Sequence, residues 1–414
     1  METIRGYKKL ILFPVFFLLC SSLFSSPLYS PTWGFSLDLP EGYEYTEGDK
    51  KDRFSFETAD GAMFDLVVYY AAPNRASPYS SVEALAEDVV RRLKNFGDTD
   101  SFEYRQKKAV IIELSFSSPG GGGRSYPMTG WALCMELGDK SSAPRPGGAA
   151  VSRVTARPLL LAMAYGPAEK QELMPLHFSA LDSIAPEEAD KLAPGPITEY
   201  SYPRENLVSA PIFGLDIEAE FYEEDDDAAQ ALVDREFQVL RRHEFASDWK
   251  EAWIRFYRAI YRDSYERLSD AAFKIERRLS LPSPLTGDWK KGPKESRDFA
   301  DAALQWVQSF TYERDTEGSD FVNLVSAVIE GRGDCDPRAM LWAIILKQAD
   351  IPSAIMVSRQ FSHAMGLADL PGVGAHFKLD GREYLVAETT AKVSIGLIEE
   401  SMSEISAWLG ISFE

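Results

Sequence analysis

Histidine and cysteine are scarce in this chain, at four and three of 414 residues. Of the cysteines, Cys134 and Cys335 fall in segments that read as separate domains, so no disulfide framework is expected to hold the fold. No Cys or His pair stands at the short spacing common in structural metal sites. A zinc site from Cys335, His363 and His376 would need ligands drawn from distant segments, and neither metal nor cofactor is expected. Positive charge is also short: 44 Lys and Arg stand against 64 Asp and Glu, a formal net charge of −20. Such a field repels phosphate backbones and anionic lipid, and no basic patch overrides it, so a nucleic-acid partner is excluded from the expectations.

Long apolar runs are missing too, with one exception near the start. Arg5, Lys8 and Lys9 precede an apolar stretch from Leu10 to about Phe24, which Pro14 interrupts. It is shorter than the ~20 apolar residues of a permanent span, and the order of charge, apolar run and small polar residues is that of a secretory signal peptide over residues 1–30. Export to a periplasmic or extracellular compartment is the expectation. Cys20 is a candidate for lipid attachment, although Leu19 before it is bulkier than such processing favours. Membrane contact is expected only through this leader or that anchor.

What the chain does have, 45% hydrophobic and 26% charged residues, is material for more than one core. Residues 31–185 read as an N-terminal α+β sandwich with an antiparallel sheet. Strand-like runs such as "AMFDLVVYY", "AVIIELSF", "WALCMEL" and "LLLAMAYG" flank a helix in "SSVEALAEDVVRRLKNFG", whose apolar Val82, Leu85, Ala86, Val89 and Leu93 recur at helical spacing. Ser80 and Glu83 suggest a capping box, with Gly97 as the stop. Cys134 lies inside a strand as a small buried hydrophobe. "SPGGGGRS" reads as a hairpin loop rather than a phosphate cradle, because no helix with a lysine follows it. This segment resembles the small α/β sandwiches related to the extrinsic oxygen-evolving-complex subunit of photosystems. Residues 186–214 carry Pro186, Pro194, Pro196, Pro203 and Pro211 and read as an extended linker.

Residues 215–414 open with helices. The acidic run Glu223 to Asp227 is better placed at a helix N-terminus, where the dipole favours negative charge, than in a calcium site. Trp249, Trp253, Phe256, Tyr257 and Ile260 form one stripe of the next helix. Phe299, Ala303, Trp306, Val307 and Phe310 form the core face of a third.

The segment "EGRGDCDPRAMLWAIILKQADIPSAIMVSRQFSHAM" carries the chemistry. Gly331 and Gly333 allow a tight entry, Asp334 is a good N-cap, and Pro337 is tolerated in a first turn. Cys335 then sits at the positive end of a helix, a position that favours thiolate over thiol. A thiolate that attacks an amide needs a base to protonate the leaving amine and a group to orient that base. His177 and His243 lie in other contexts, which leaves His363 and His376, both in strand-like segments downstream. Glu388, an acid in the otherwise apolar "YLVAETT", needs a polar partner to be tolerated there.

"GDCD" at a helix start, "DIPSAIMV" after that helix, "SHAM" in the next strand and "YLVAETT" in the following one resemble the transglutaminase-like branch of the papain-type cysteine enzymes, over roughly Ser296 to Gly396. The resemblance implies an α+β core and a Cys, His, acid triad acting on a protein or peptide amide through a thioester, by hydrolysis or transamidation. By position it makes Cys335 the nucleophile, His363 rather than His376 the base, and Glu388 the orienting acid. Three positions depart from the pattern: Glu388 where Asp is common, Met365 where Trp is common, and Pro337 next to the helix start. The alternative to an enzyme is an inactive envelope scaffold that keeps the fold.

Overall fold

The computed structural model describes residues 27–71, 75–119, 125–138, 157–280, 293–314 and 319–413. The expected leader, Cys20 and the glycine run at 120–123 lie outside the described residues. None of the described helices is long and apolar enough to cross a membrane.

A short ribbon, β1 (Leu28–Tyr29) and β2 (Ser36–Leu37), precedes a seven-stranded sheet. That sheet comprises β3 (Glu44–Gly48), β4 (Arg53–Glu57), β5 (Met63–Tyr69), β6 (Thr99–Tyr104), β7 (Lys107–Pro119), β8 (Ser125–Glu136) and β9 (Leu159–Pro167). Its order is β3-β4-β5-β9-β8-β7-β6 and every neighbouring pair is antiparallel. Two meanders therefore join through β9, which returns to lie beside β5. Helix α1 (Val82–Leu93) covers one face, where Leu85 and Val89 pack with Val110, Ile112 and Cys134. Helix α2 (Met174–Asp182) covers the other, where Leu176 and Ala180 meet Ile111, Leu133 and Leu160. Alternate residues of β7 thus serve opposite cores, as the two-residue period of a strand requires. The N-cap of α1 is Ser81, one residue later than the capping-box pattern suggests. Its side chain accepts from Ala84 N–H, and the helix stops at Lys94 in the left-handed region rather than at Gly97.

The segment expected to be an extended linker carries regular elements instead, mostly buried in its first part and largely exposed from residue 201 to 211. Helix α3 (Pro196–Ser201) and strand β10 (Leu207–Pro211) lie within it, and β10 pairs with β11 (Glu218–Tyr222). Its prolines begin elements or turn the chain: Pro196 stands at the start of α3, and Pro194 O accepts from buried Tyr104 at 2.8 Å. Asp182 caps α3 through the N–H groups of Ile197 and Thr198 at 2.9 and 2.8 Å. A proline-rich composition marks where regular structure is interrupted, and here short elements fill the intervals.

Helices α4 (Asp225–Arg241), α5 (Trp249–Arg267) and α6 (Ser269–Leu279) follow, then α7 (Pro293–Val307), α8 (Leu324–Glu330) and α9 (Cys335–Gln348). The second sheet comprises β12 (Ser353–Ser358), β13 (His363–Ala368), β14 (His376–Leu379), β15 (Arg382–Ala387) and β16 (Leu409–Ser412), in the antiparallel order β14-β15-β13-β12-β16. The fold class is α+β, as expected. Helix α9 is apolar on every side because it is buried on every side, and β12 is buried at each of its residues. Trp342 of α9 lies directly on Gly366 of β13, where a Cβ would stand 2.5 Å from the indole ring. The sheet and the helix can approach this closely only because that residue is glycine.

Helices α4 and α5 are riveted to the first half by buried charge. Arg255 donates to Asp38 O at 3.0 Å and to Glu236 at 2.8 Å, and Arg262 donates to the carbonyls of Asp182, Ile184 and Ala193. The acidic run at the start of α4 has partners of the same kind. Asp225 is fully buried against Arg267 and Arg204, and Asp226 accepts from Asn323 and Ser326.

Candidate active site

Cys335 is the first residue of α9 and Asp334 is its N-cap, accepting from Asp336 N–H at 3.1 Å. Two features set the entry. Gly333 has φ +143°, and buried Arg338, one turn into the helix, donates to Gly333 O at 3.0 Å and to Phe310 O at 2.8 Å. A guanidinium bound to two carbonyls fixes the loop that delivers the sulfur.

Strand β13 begins with His363, and the sulfur lies against the backbone N–H of Ala364, the next residue. Cys335 and His363 thus stand where the start of a helix meets the start of a strand. His363 Nε2 lies 2.8 Å from Glu388 Oε2. Glu388 stands one residue beyond β15, and its other oxygen accepts from Thr390 N–H at 2.7 Å and Thr390 Oγ1 at 2.6 Å. Burial would push the Glu388 carboxyl up, but hydrogen bonds from His363 and Thr390 and the charge of His363 hold it below the ordinary glutamate value. A carboxylate that accepts from Nε2 requires the proton there, which leaves Nδ1 as the basic nitrogen of the neutral ring. His376 is elsewhere: it lies on the edge strand β14, with Nδ1 on Gly374 O at 2.9 Å. His243 pairs with Asp248, and His177 is buried in the first half, its pKa pushed down to about 4 by burial and Arg242.

The thiol itself departs from expectation. A helix start is expected to favour thiolate, yet burial, then Asp336, then Asp334 push the Cys335 pKa well up, against smaller help from the backbone N–H groups of Ala364 and Cys335. The cause is that the residues that cap and flank the helix start bring negative charge into a site where Cys335 is 3% exposed. Desolvation plus two carboxylates outweigh the partial charge of a helix end, whose effect is confined to its first turn. Asp334 is itself pushed up to about 7 by burial and Asp336. Asp336 is raised by burial, while Tyr257, whose hydroxyl donates to it at 2.7 Å, and His363 pull it down.

Several supporting residues carry no legible signal in the sequence. Gln308 donates to Glu388 O at 2.8 Å and Val393 O at 2.9 Å, holding the turn after β15. The Trp408 ring lies 6.3 Å from the His363 ring and shields one side of it. Thr390 could have been suspected from "AETT", because a hydroxyl two residues after an acid commonly closes a local turn on it. Gln308 and Trp408 come from remote segments.

Among the described residues, Asp334, Cys335 and Asp336 form one group whose ligand atoms lie within 4.8 Å of one another. One oxygen of each carboxylate is engaged, Asp334 by Asp336 N–H and Asp336 by Tyr257, while Asp336 Oδ2 lies 3.9 Å from the sulfur and Asp334 Oδ2 lies 3.6 Å from Arg314, so the two carboxylates form a collar around the sulfur. In front of this collar lies a cavity of about 400 Å³, bounded by α4, α5, the residues around Phe321 and the facing ends of β12 and β13.

No protein-family model and no curated protein matches this chain. Among solved structures, one from Bacteroides thetaiotaomicron VPI-5482 has a TM-score of 0.24 and 9% identity over 59% of this chain and 77% of its own. A protein from Cytophaga hutchinsonii, described as a "Putative Cysteine Protease", has a TM-score of 0.21 and 8% identity over 89% of this chain and 83% of its own. A third, from Parabacteroides distasonis ATCC 8503 and described as a "Putative Protease", has a TM-score of 0.20 and 9% identity over 80% of this chain and 65% of its own. Two of these three neighbours thus carry protease descriptions, at a similarity too low to assign a family or a residue.

Proposed function

We propose that this chain is a thiol-dependent acyl-transfer enzyme acting on amide bonds of a protein or peptide, with Cys335 as nucleophile, His363 as base and Glu388 as the group that orients it. The reading rests chiefly on the 2.8 Å contact between His363 Nε2 and Glu388, made by an imidazole whose strand begins against the Cys335 sulfur. As substrate binds, the thiol proton passes to His363 Nδ1 while Sγ attacks the carbonyl carbon, and the carbonyl electron pair becomes an oxyanion. Cys335 N–H, among the first-turn donors that a helix leaves unpaired, faces that charge. Collapse breaks the C–N bond, Nδ1–H protonates the leaving amine, and a thioester remains. Water or an amine then gives up a proton to Nδ1, attacks the thioester and releases the thiolate, which regains that proton. Because an isolated thiolate is disfavoured here, proton transfer and attack belong to one step, with Glu388 and Asp336 stabilising the imidazolium that forms.

Export through the leader, with action in the cell envelope, is part of the same proposal and rests on the N-terminal sequence. The competing reading, an inactive scaffold, draws support from the carboxylates that raise the thiol. Hydroxylamine separates the two. Incubated with an unfolded protein and the full chain, it should intercept the thioester as a hydroxamate, detected by mass spectrometry, and Cys335→Ala should abolish the product. No Cys335-dependent hydroxamate and no new peptide termini would overturn the enzyme reading.

A further inference from the structure

We infer that the cavity beside the Cys335–His363 pair is a specificity pocket for a bulky apolar side chain adjoining the scissile amide, with the α4–α5 hairpin as its selecting wall; the assignment rests on the reaction proposed above. The volume of about 400 Å³ falls within the ~300–1,000 Å³ of small-molecule sites. One stripe of each helix faces it: Phe237 and Leu240 from α4, three residues apart, and Trp253 and Phe256 from α5, likewise three apart. Phe237, Leu240 and Trp253 are only partly buried against the main core, so each keeps apolar surface toward the cavity. These residues lie well before the segment that carries the nucleophile and base, so the catalytic elements and the selecting wall come from different parts of the chain.

Several of the charges that line the cavity are paired with one another, while Arg241 and Asp336 line it as well. Arg314 lies 2.6 Å from Asp320 and 3.6 Å from Asp334, and Arg359 donates to Glu244 O at 3.0 Å while stacking over Trp249. A charged substrate side chain entering there would lose water and compete with these pairs, whereas an aromatic or branched aliphatic one would cover the exposed faces of Trp253 and Phe237. In an apolar pocket each missing methylene of the substrate is discriminated by roughly 10–200-fold.

The test separates binding from chemistry. Blocked peptide amides that vary one residue, first on the carbonyl side and then on the amine side of a central amide, are titrated calorimetrically into the full chain carrying Cys335→Ala. Phe or Leu on one of the two sides should bind at least about tenfold more tightly than Gly, with Asp and Lys no better than Gly. Trp253→Ala, and independently Phe237→Ala, should erase that preference while leaving the Gly peptide unchanged and the thermal transition cooperative. Equal affinity across both series, or a preference that survives both substitutions, would overturn the pocket. If the preference holds in Cys335→Ala while the wild-type chain forms no hydroxamate, the pocket stands and the catalytic reading alone falls.

Discussion

Cys134 and Cys335 are both free, both buried, and both raised in pKa, yet they stand in unlike places. Cys134 lies in mid-strand β8 under helix α1, and burial alone pushes it up to about 12. Cys335 carries, besides burial, two aspartates, two backbone N–H groups and a strand that begins with an imidazole. The contrast teaches that position at a helix start does not itself make a thiol nucleophilic. What distinguishes Cys335 is the imidazole of His363 at the start of the adjoining strand, held by Glu388, which in the proposed reaction takes the thiol proton during attack.

The largest effect that would break this contrast is on turnover. Cys335→Ala should reduce hydroxamate formation to background and His363→Ala should lower it by roughly 10²–10⁴-fold, whereas Cys134→Ala should leave the rate per folded molecule unchanged. Glu388→Gln comes next. It keeps an acceptor for Nε2 but loses the charge opposite the imidazolium, so kcat should fall by about 10²-fold or more. The Glu388 carboxyl is held below its ordinary value of 4.5, so its stabilising contribution is full above that value and is lost as pH falls through the folded one. In denaturant titrations, the stability gap between wild type and Glu388→Gln should therefore narrow below about pH 4.5. A gap that widens on acidification would contradict the pairing.

A smaller effect sharpens the electrostatic side. Asp334→Asn keeps a side chain able to cap α9 but removes one of the charges opposing the thiolate, so the pH profile of Cys335 alkylation should move down by roughly one unit. An unmoved profile would mean that burial alone sets the thiol. The smallest concerns the other sulfur: Cys134→Ser places a hydroxyl in the apolar core between β8 and α1 and should cost about 1–3 kcal/mol in urea titration, with no change in the Cys335 profile.

Much of the site is legible in the sequence because its parts are local. The start of α9 follows from Asp334 and Pro337, the strand start at His363 from the apolar run that surrounds it, and Glu388 from the cost of an acid in an apolar segment. The thiol's environment is not legible in the same way. A helix dipole can be read from a local pattern, whereas desolvation depends on how α9, its neighbouring helices and the second sheet close over the sulfur. Tyr257, Gln308 and Trp408 reach the site from 78 positions before Cys335 to 73 after it; no local pattern marks such meetings. The proline-rich segment departs from its extended reading for a related reason. Its α3 is capped by Asp182 at the end of α2, and its β10 pairs with β11, partners that the segment's own composition does not show.

The most direct test of the central claim is the rate at which iodoacetamide modifies each thiol at pH 7 in the folded chain, read by mass spectrometry for wild type and His363→Ala. The account predicts that Cys335 reacts at least about tenfold faster than Cys134 and that His363→Ala removes the difference. Equal rates in the wild type, or a fast Cys335 that is indifferent to the loss of His363, would contradict it.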